Sequence, residues 1–279
     1  MLITERKNAV LLITLNRPEK RNCLHPDLIG ELSQTLARSE KDESLNVVVL
    51  TGAGSSFCAG LDLIYLLGLD SEARVAYMQT VFELFRQLYA QPQPVIAAVN
   101  GPAIAGGFDL AALCDLRFCT PEATFAQTEV LLGITQIMYP LYKVIGLGRA
   151  KELALTGEAI SAEEAYRIGL VNRMYPSGEL LDQTMKSAHT IAGRPRQALF
   201  ATKRLSRDLT HMDTESAFQR MFAVISERLK SEEHRKEAEK YVAQLKRRRE
   251  MKASRKTRVN TDDLTLTKRG DKSRPLRGF

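Results

Sequence analysis

The sequence predicts an α/β fold that becomes helical toward its C-terminus. Three observations carry that expectation. Short apolar, β-branched runs of strand length recur in the first half of the chain, and segments with apolar residues at three- and four-residue steps lie between them. Beyond about residue 150 the strand-like runs give way to helical periodicity.

The first residues run directly into a strand-like pattern, which leaves no room for a signal peptide. Val10–Leu15 reads as a strand that Asn16, Arg17 and Pro18 terminate. A helix is expected over residues 27–39, where Leu28, Leu32 and Leu36 share one face. Residues 47–50 (VVVL) have no polar member, as in a strand covered on both faces. Ser71–Ala90 is an amphipathic helix with Val75, Met78, Phe82, Phe85 and Tyr89 on its apolar face; Pro92 and Pro94 stop it. Val95–Val99 is a second buried strand, and Leu116–Cys119 and residues 123–126 read as shorter ones. Residues 215–229 and 231–249 form the last two helices.

The chain has 279 residues and a net charge of +7, which at face value suggests an anionic partner. The charge is localised. Residues 246–279 hold 13 basic and 4 acidic side chains, leaving a body of net −2. That segment has few large apolar residues and no sustained period, so it is expected to be disordered. No apolar run reaches the roughly 20 residues a membrane helix needs. Four cysteines without CxxC spacing read as reduced thiols in a cytoplasmic compartment. A P-loop, a complete dinucleotide fingerprint, a GxSxG elbow and clustered metal ligands are all missing from the sequence.

Two segments deliver a buried strand into a small-residue turn and then a helix. One runs from residue 47 through Gly52-Ala53-Gly54 to Ala59-Gly60-Leu61-Asp62-Leu63; the other runs from Val95 through Asn100-Gly101-Pro102 to Gly106-Gly107-Phe108-Asp109. Such turns serve close packing, or they bring two backbone N–H groups to one carbonyl oxygen. In the second case each donor is worth roughly 3–4 kcal/mol as charge develops on that oxygen. Asp109 and Glu129 each stand among apolar neighbours. Each is either a paired or solvated carboxylate, or a member of a poorly solvated acid/base pair whose mutual repulsion raises one pKa.

The order Asn16-Arg17-Pro18…Asn22, Phe57-x-Ala59-Gly60-x-Asp62-Leu63, Ala97-Ala98-Val99-Asn100-Gly101…Gly106-Gly107…Asp109-Leu110…Cys114-Asp115 and Phe125-x-Gln127-x-Glu129-x-x-x-Gly133 resembles the enoyl-CoA hydratase/isomerase, or crotonase, superfamily. The likeness extends over about residues 3–248. It implies a crotonase-like spiral of ββα units over residues 1–190, a helical trimerisation region over 191–249, and a basic tail over 250–279. The implied assembly is a homotrimer or a hexamer, and the implied substrate is an acyl-CoA thioester, with no cofactor or metal beyond the coenzyme A of the substrate. Ala59 and Gly106 match the oxyanion-hole donors, and Asp109 and Glu129 match the acid/base pair. Lys20, Arg21 and Cys23, with Leu61, Asp62 and Leu63, match the stretches lining coenzyme A.

Three departures stand out. The family's hydratases usually carry Glu where Asp109 stands, and dienoyl-CoA isomerases carry an aspartate where this chain has Ile137. The segment Ile134-Thr135-Gln136-Ile137-Met138-Tyr139-Pro140 replaces a longer glycine-rich one. The resemblance implies hydration of a 2-enoyl-CoA. The alternatives are double-bond isomerisation of an enoyl- or dienoyl-CoA, or a catalytically weak protein binding RNA or another polyanion through its tail.

Overall fold

The computed structural model describes the backbone of residues 1–267 and the side chains of residues 1–251. The described residues form two compact units, residues 1–217 and a second that begins at Phe218. In chain order the elements are β1 (Leu2–Lys7), β2 (Val10–Leu15), α1 (Pro26–Lys41), β3 (Val47–Gly52), α2 (Leu63–Leu67), α3 (Ser71–Ala90), β4 (Val95–Val99), β5 (Ala103–Ile104), α4 (Gly106–Leu113), β6 (Leu116–Cys119), β7 (Thr124–Ala126), α5 (Leu141–Ile145), α6 (Leu147–Thr156), β8 (Ile160–Ser161), α7 (Ala162–Arg167), β9 (Arg173–Met174), α8 (Leu180–Ala192), α9 (Arg196–Asp208), α10 (Thr214–Leu229) and α11 (Glu232–Thr267).

The main sheet has the order β1-β2-β3-β4-β6-β9. Only the β1–β2 pair is antiparallel, and the other pairs are parallel. Side-chain alternation explains the wholly apolar runs. Val48 and Leu50 of β3 pack with Leu28, Leu32 and Leu36 of α1 and Leu84 and Leu88 of α3. Val47 and Val49 point to the other face, where Met185 and Ala188 of α8 cover them. A smaller sheet has the order β5-β7-β8, with β5–β7 parallel and β7–β8 antiparallel.

The apolar stripe of α3 differs from the expected one. Tyr77, Val81, Leu84, Phe85 and Leu88 are buried, whereas Val75 is 66% and Phe82 52% exposed. The helix carries apolar residues over more than one face, and the second face serves a cavity described below.

The division between the units falls after Ala217, not at residue 190. Helix α9 belongs with the sheet because Lys203 Nζ donates to the Gln93 carbonyl oxygen (2.9 Å) and pairs with Asp115 (2.6 Å). In the second unit α10 exposes Phe218, Phe222, Ile225 and Leu229. Helix α11 continues to Thr267, so residues 250–267, expected to be disordered, are helical backbone. The physical reason is local: residues 232–267 contain no glycine or proline and many good helix formers. The rest of the expected disordered tail, 268–279, lies outside the described residues. Among the described residues no helix is long and apolar enough to cross a membrane.

Candidate active site

The two small-residue turns are pressed into one another. Asn22 Nδ2 donates to the carbonyl oxygens of Ala53 (2.9 Å) and Ser56 (2.8 Å), and Asn100 Nδ2 donates to that of Gly54 (2.9 Å). The Ile104 N–H donates to the Cys58 carbonyl oxygen (3.0 Å), joining the first turn to β5. The approach is so close that a Cβ on Gly107 would lie 2.0 Å from the Cys58 carbonyl oxygen. The sequence admits glycine alone there.

This packing decides where the backbone donors point. The Ala59 N–H donates to the Arg21 carbonyl oxygen (3.0 Å). It is already engaged, which corrects the expectation that Ala59 supplies an oxyanion-hole donor. Two residues on, Leu61 forms a parallel bridge with Leu24, in which the Leu24 N–H donates to the Gly60 carbonyl oxygen (2.7 Å) and the Asp62 N–H to the Leu24 carbonyl oxygen (3.4 Å). The alternation of a strand turns the intervening Leu61 N–H the other way, and it has no partner among the described residues.

Gly106 is the second expected donor. Ala105 adopts φ 52°, ψ −125°, a left-handed-side conformation that is strained for a residue with a Cβ. Its own N–H donates to the Ala126 carbonyl oxygen (2.8 Å). The backbone reversal leaves the Gly106 N–H, first in α4, without a partner among the described residues. It sits where the helix dipole also favours negative charge.

Leu61 and Gly106 line one cavity of about 200 Å³ together with Asp109 and Glu129. The remaining walls are Met78, Val81, Phe82 and Phe85 of α3 and Ile134, Thr135 and Ile137 of the segment after Glu129. Asp109 is 4% exposed. Burial, and then the charge of Glu129, push its carboxyl well above the usual range, against the opposing hydrogen bonds of Gln127 and Gln136. Burial also raises Glu129, whose Oε2 is buried with no hydrogen-bond partner. Two carboxyls raised in one apolar cleft can share a proton and pass it to or from a bound carbon acid.

The remaining expected residues divide by exposure. Lys20 and Arg21 carry exposed cationic side chains beside the first turn, and Leu63 is exposed on α2. Cys23 and Asp62 are held elsewhere. Arg17 Nη1 and Nη2 each lie 3.3 Å from Asp62 Oδ2, Nη1 also donates to the Cys23 carbonyl oxygen (3.0 Å), and Asp62 Oδ1 accepts from the Tyr65 N–H (3.3 Å) to cap α2. Burial and then the charge of Asp62 push the Cys23 thiol up. Gln136 and the α3 side chains of the cavity have no signature in the sequence beyond ordinary periodicity.

Backbone donors facing two carboxylates across an apolar cavity form an arrangement able to stabilise an enolate and to move protons beside it. The enoyl-CoA hydratase/isomerase family profile matches residues 5–251, and the chain belongs to this enzyme family. The short-chain-enoyl-CoA hydratase of Clostridium acetobutylicum is 35% identical over 224 residues, covering 78% of this chain and 86% of that protein. The crotonyl-CoA hydratase of Syntrophomonas wolfei is 34% identical over 220 residues, covering 77% and 85%. The crystal structure of enoyl-CoA hydratase from Bacillus anthracis superposes with a TM-score of 0.85 at 30% identity, covering 87% of this chain and 96% of that one. The fold is therefore the crotonase fold.

Proposed function

We propose that this enzyme adds water across the double bond of a 2-enoyl-CoA to give the 3-hydroxyacyl-CoA. The observation that carries the reading is the convergence of the Leu61 and Gly106 N–H groups with Asp109 and Glu129 on one apolar cavity. The thioester oxygen accepts from both N–H groups, and the acyl chain lies against Met78, Val81, Phe82 and Phe85. Water held by the Asp109 carboxylate attacks Cβ and gives its proton to that carboxylate, while the double-bond electrons move onto the thioester oxygen. The two carboxyls share one proton, and in the reactive state Glu129 carries it and leaves Asp109 charged; the enolate collapses as Glu129 delivers that proton to Cα. The two N–H donors stabilise the oxyanion only while its charge exists, which is how they accelerate the step.

Lys20 and Arg21 would meet the phosphates of coenzyme A. The exposed apolar residues of α10 support the expected trimer, with the C-terminal helices as its contacts. Purified protein is expected to consume crotonyl-CoA, read as loss of the enoyl-thioester absorbance. Glu129→Gln should lower kcat more than about 10²-fold, the usual worth of a positioned acid or base. Protein that neither hydrates crotonyl-CoA, nor exchanges α-protons of an acyl-CoA, nor binds one would overturn the reading.

A further inference from the structure

The segment from Ile134 to Pro140 does more than close the cavity. Its Gln136 reaches back across the site and places Nε2 3.2 Å from Asp109 Oδ1 and 3.5 Å from Oδ2. Its other amide atom, Oε1, is buried with no hydrogen-bond partner. Gln127, the second amide facing Asp109, is tied by its Nε2 to the Ile137 carbonyl oxygen (3.4 Å). Among the described residues no cation lines the cavity, and α3 contributes Met78, Val81, Phe82 and Phe85 to it. Among the described residues of the lining Glu129 is the one other ionisable group, and Ile137 brings no charge.

We infer that Gln136 is a positioning residue whose amide follows the protonation state of Asp109. Nε2 donates to the carboxylate before water attacks. Once Asp109 holds the water's proton, rotation of the amide presents Oε1, which accepts from the new carboxylic acid. An amide is the side chain suited to both states, because it carries a donor and an acceptor of nearly equal shape. A carboxylate in a buried cleft with a second carboxyl beside it needs such a donor to remain charged, and its acid form needs an acceptor. The unpartnered Oε1 is that acceptor. The inference rests on the acid/base reading of Asp109 given above.

The test compares Gln136→Met, Gln136→Glu, Asp109→Asn and the Gln136→Met/Asp109→Asn double variant in the full-length enzyme, using crotonyl-CoA. The Asp109 carboxyl is also followed by ¹³C NMR of aspartate-labelled protein, its signal identified by loss in Asp109→Asn. Gln136→Met should lower kcat about 10-fold, the worth of one hydrogen bond to a charged group, with KM within about twofold. It should move the acidic limb of the pH profile and the NMR titration of Asp109 to higher pH. Gln136→Glu should retain activity only toward acid pH, where its own carboxyl is protonated and can donate. The double variant should be no slower than Asp109→Asn alone.

A purely structural role predicts otherwise: losses that multiply in the double variant, with the pH limb and the Asp109 titration unmoved. Either that result or wild-type kinetics in Gln136→Met overturns the inference. Wild-type activity in Asp109→Asn instead overturns the underlying acid/base reading, while the NMR titration still reports whether Gln136 and Asp109 are coupled.

Discussion

Gly60→Ala isolates the geometry of the two backbone donors. Gly60 has φ +88°, and an added Cβ would lie 2.8 Å from the Ile104 carbonyl oxygen, 2.9 Å from Ala105 Cβ and 3.2 Å from the Gly106 nitrogen. Ordinary contacts at such atoms begin near 3.4 Å, so the two turns must separate by about half an ångström or more. Two of the three obstructing atoms are backbone and cannot rotate away. The movement displaces the Gly106 N–H from the Leu61 N–H, and a misplacement of about 1 Å in a catalytic arrangement is worth about 10² in rate. Complete loss of one donor is worth about 10²–10³. The expected result is therefore a fall in kcat for crotonyl-CoA of about 30- to 300-fold, larger than the change in KM. Backbone strain alone is controlled by Gly169→Ala, at φ +80° with nothing within 4 Å of the new Cβ. That variant should lose stability and keep its kcat. If Gly60→Ala folds and turns over within threefold of the parent, the assignment of Leu61 and Gly106 as oxyanion donors is wrong.

Other expected outcomes follow from the same cavity. The Asp109 carboxyl is raised in the folded protein, so the folded state binds more protons than the unfolded one between the two pKa values, and stability declines as pH rises through that window. Asp109→Asn removes this effect. Its Tm should exceed that of the parent at neutral pH, and the gain should disappear below about pH 4, where the unfolded carboxyl is also protonated. An unchanged Tm difference from pH 4 to 8 would contradict the sign. Phe82 is on the cavity wall and 52% exposed, and is expected to limit the acyl chain. Phe82→Ala should raise kcat/KM for an octenoyl-CoA relative to crotonyl-CoA about 10-fold, as expected from burying two further methylenes at about 0.8 kcal/mol each. An unaltered ratio in competition assays would place the chain elsewhere.

Much of the fold is legible in the chain because local rules and global packing agree. The runs in β2, β3 and β4 are apolar throughout because both faces of the sheet are covered, and α3 has the predicted bounds, Ser71–Ala90. Its buried face was harder to read, since the side that lines a cavity is as apolar as the side that enters the core. Helix α11 runs past residue 249 because helix propensity persists where amphipathic periodicity has faded.

At the site, the sequence alone determined the residue types: the paired carboxylates Asp109 and Glu129, and the small residues that let two turns touch. Only the tertiary structure decided which N–H groups are free. Ala59 and Leu61 are two residues apart and indistinguishable by composition, yet the carbonyl oxygen of Arg21 takes the first and leaves the second open. Gln136 likewise acquires its meaning from a contact across 27 residues of chain. Hydrogen-bond direction depends on which strand lies alongside, and that partner is fixed by packing between segments distant in sequence.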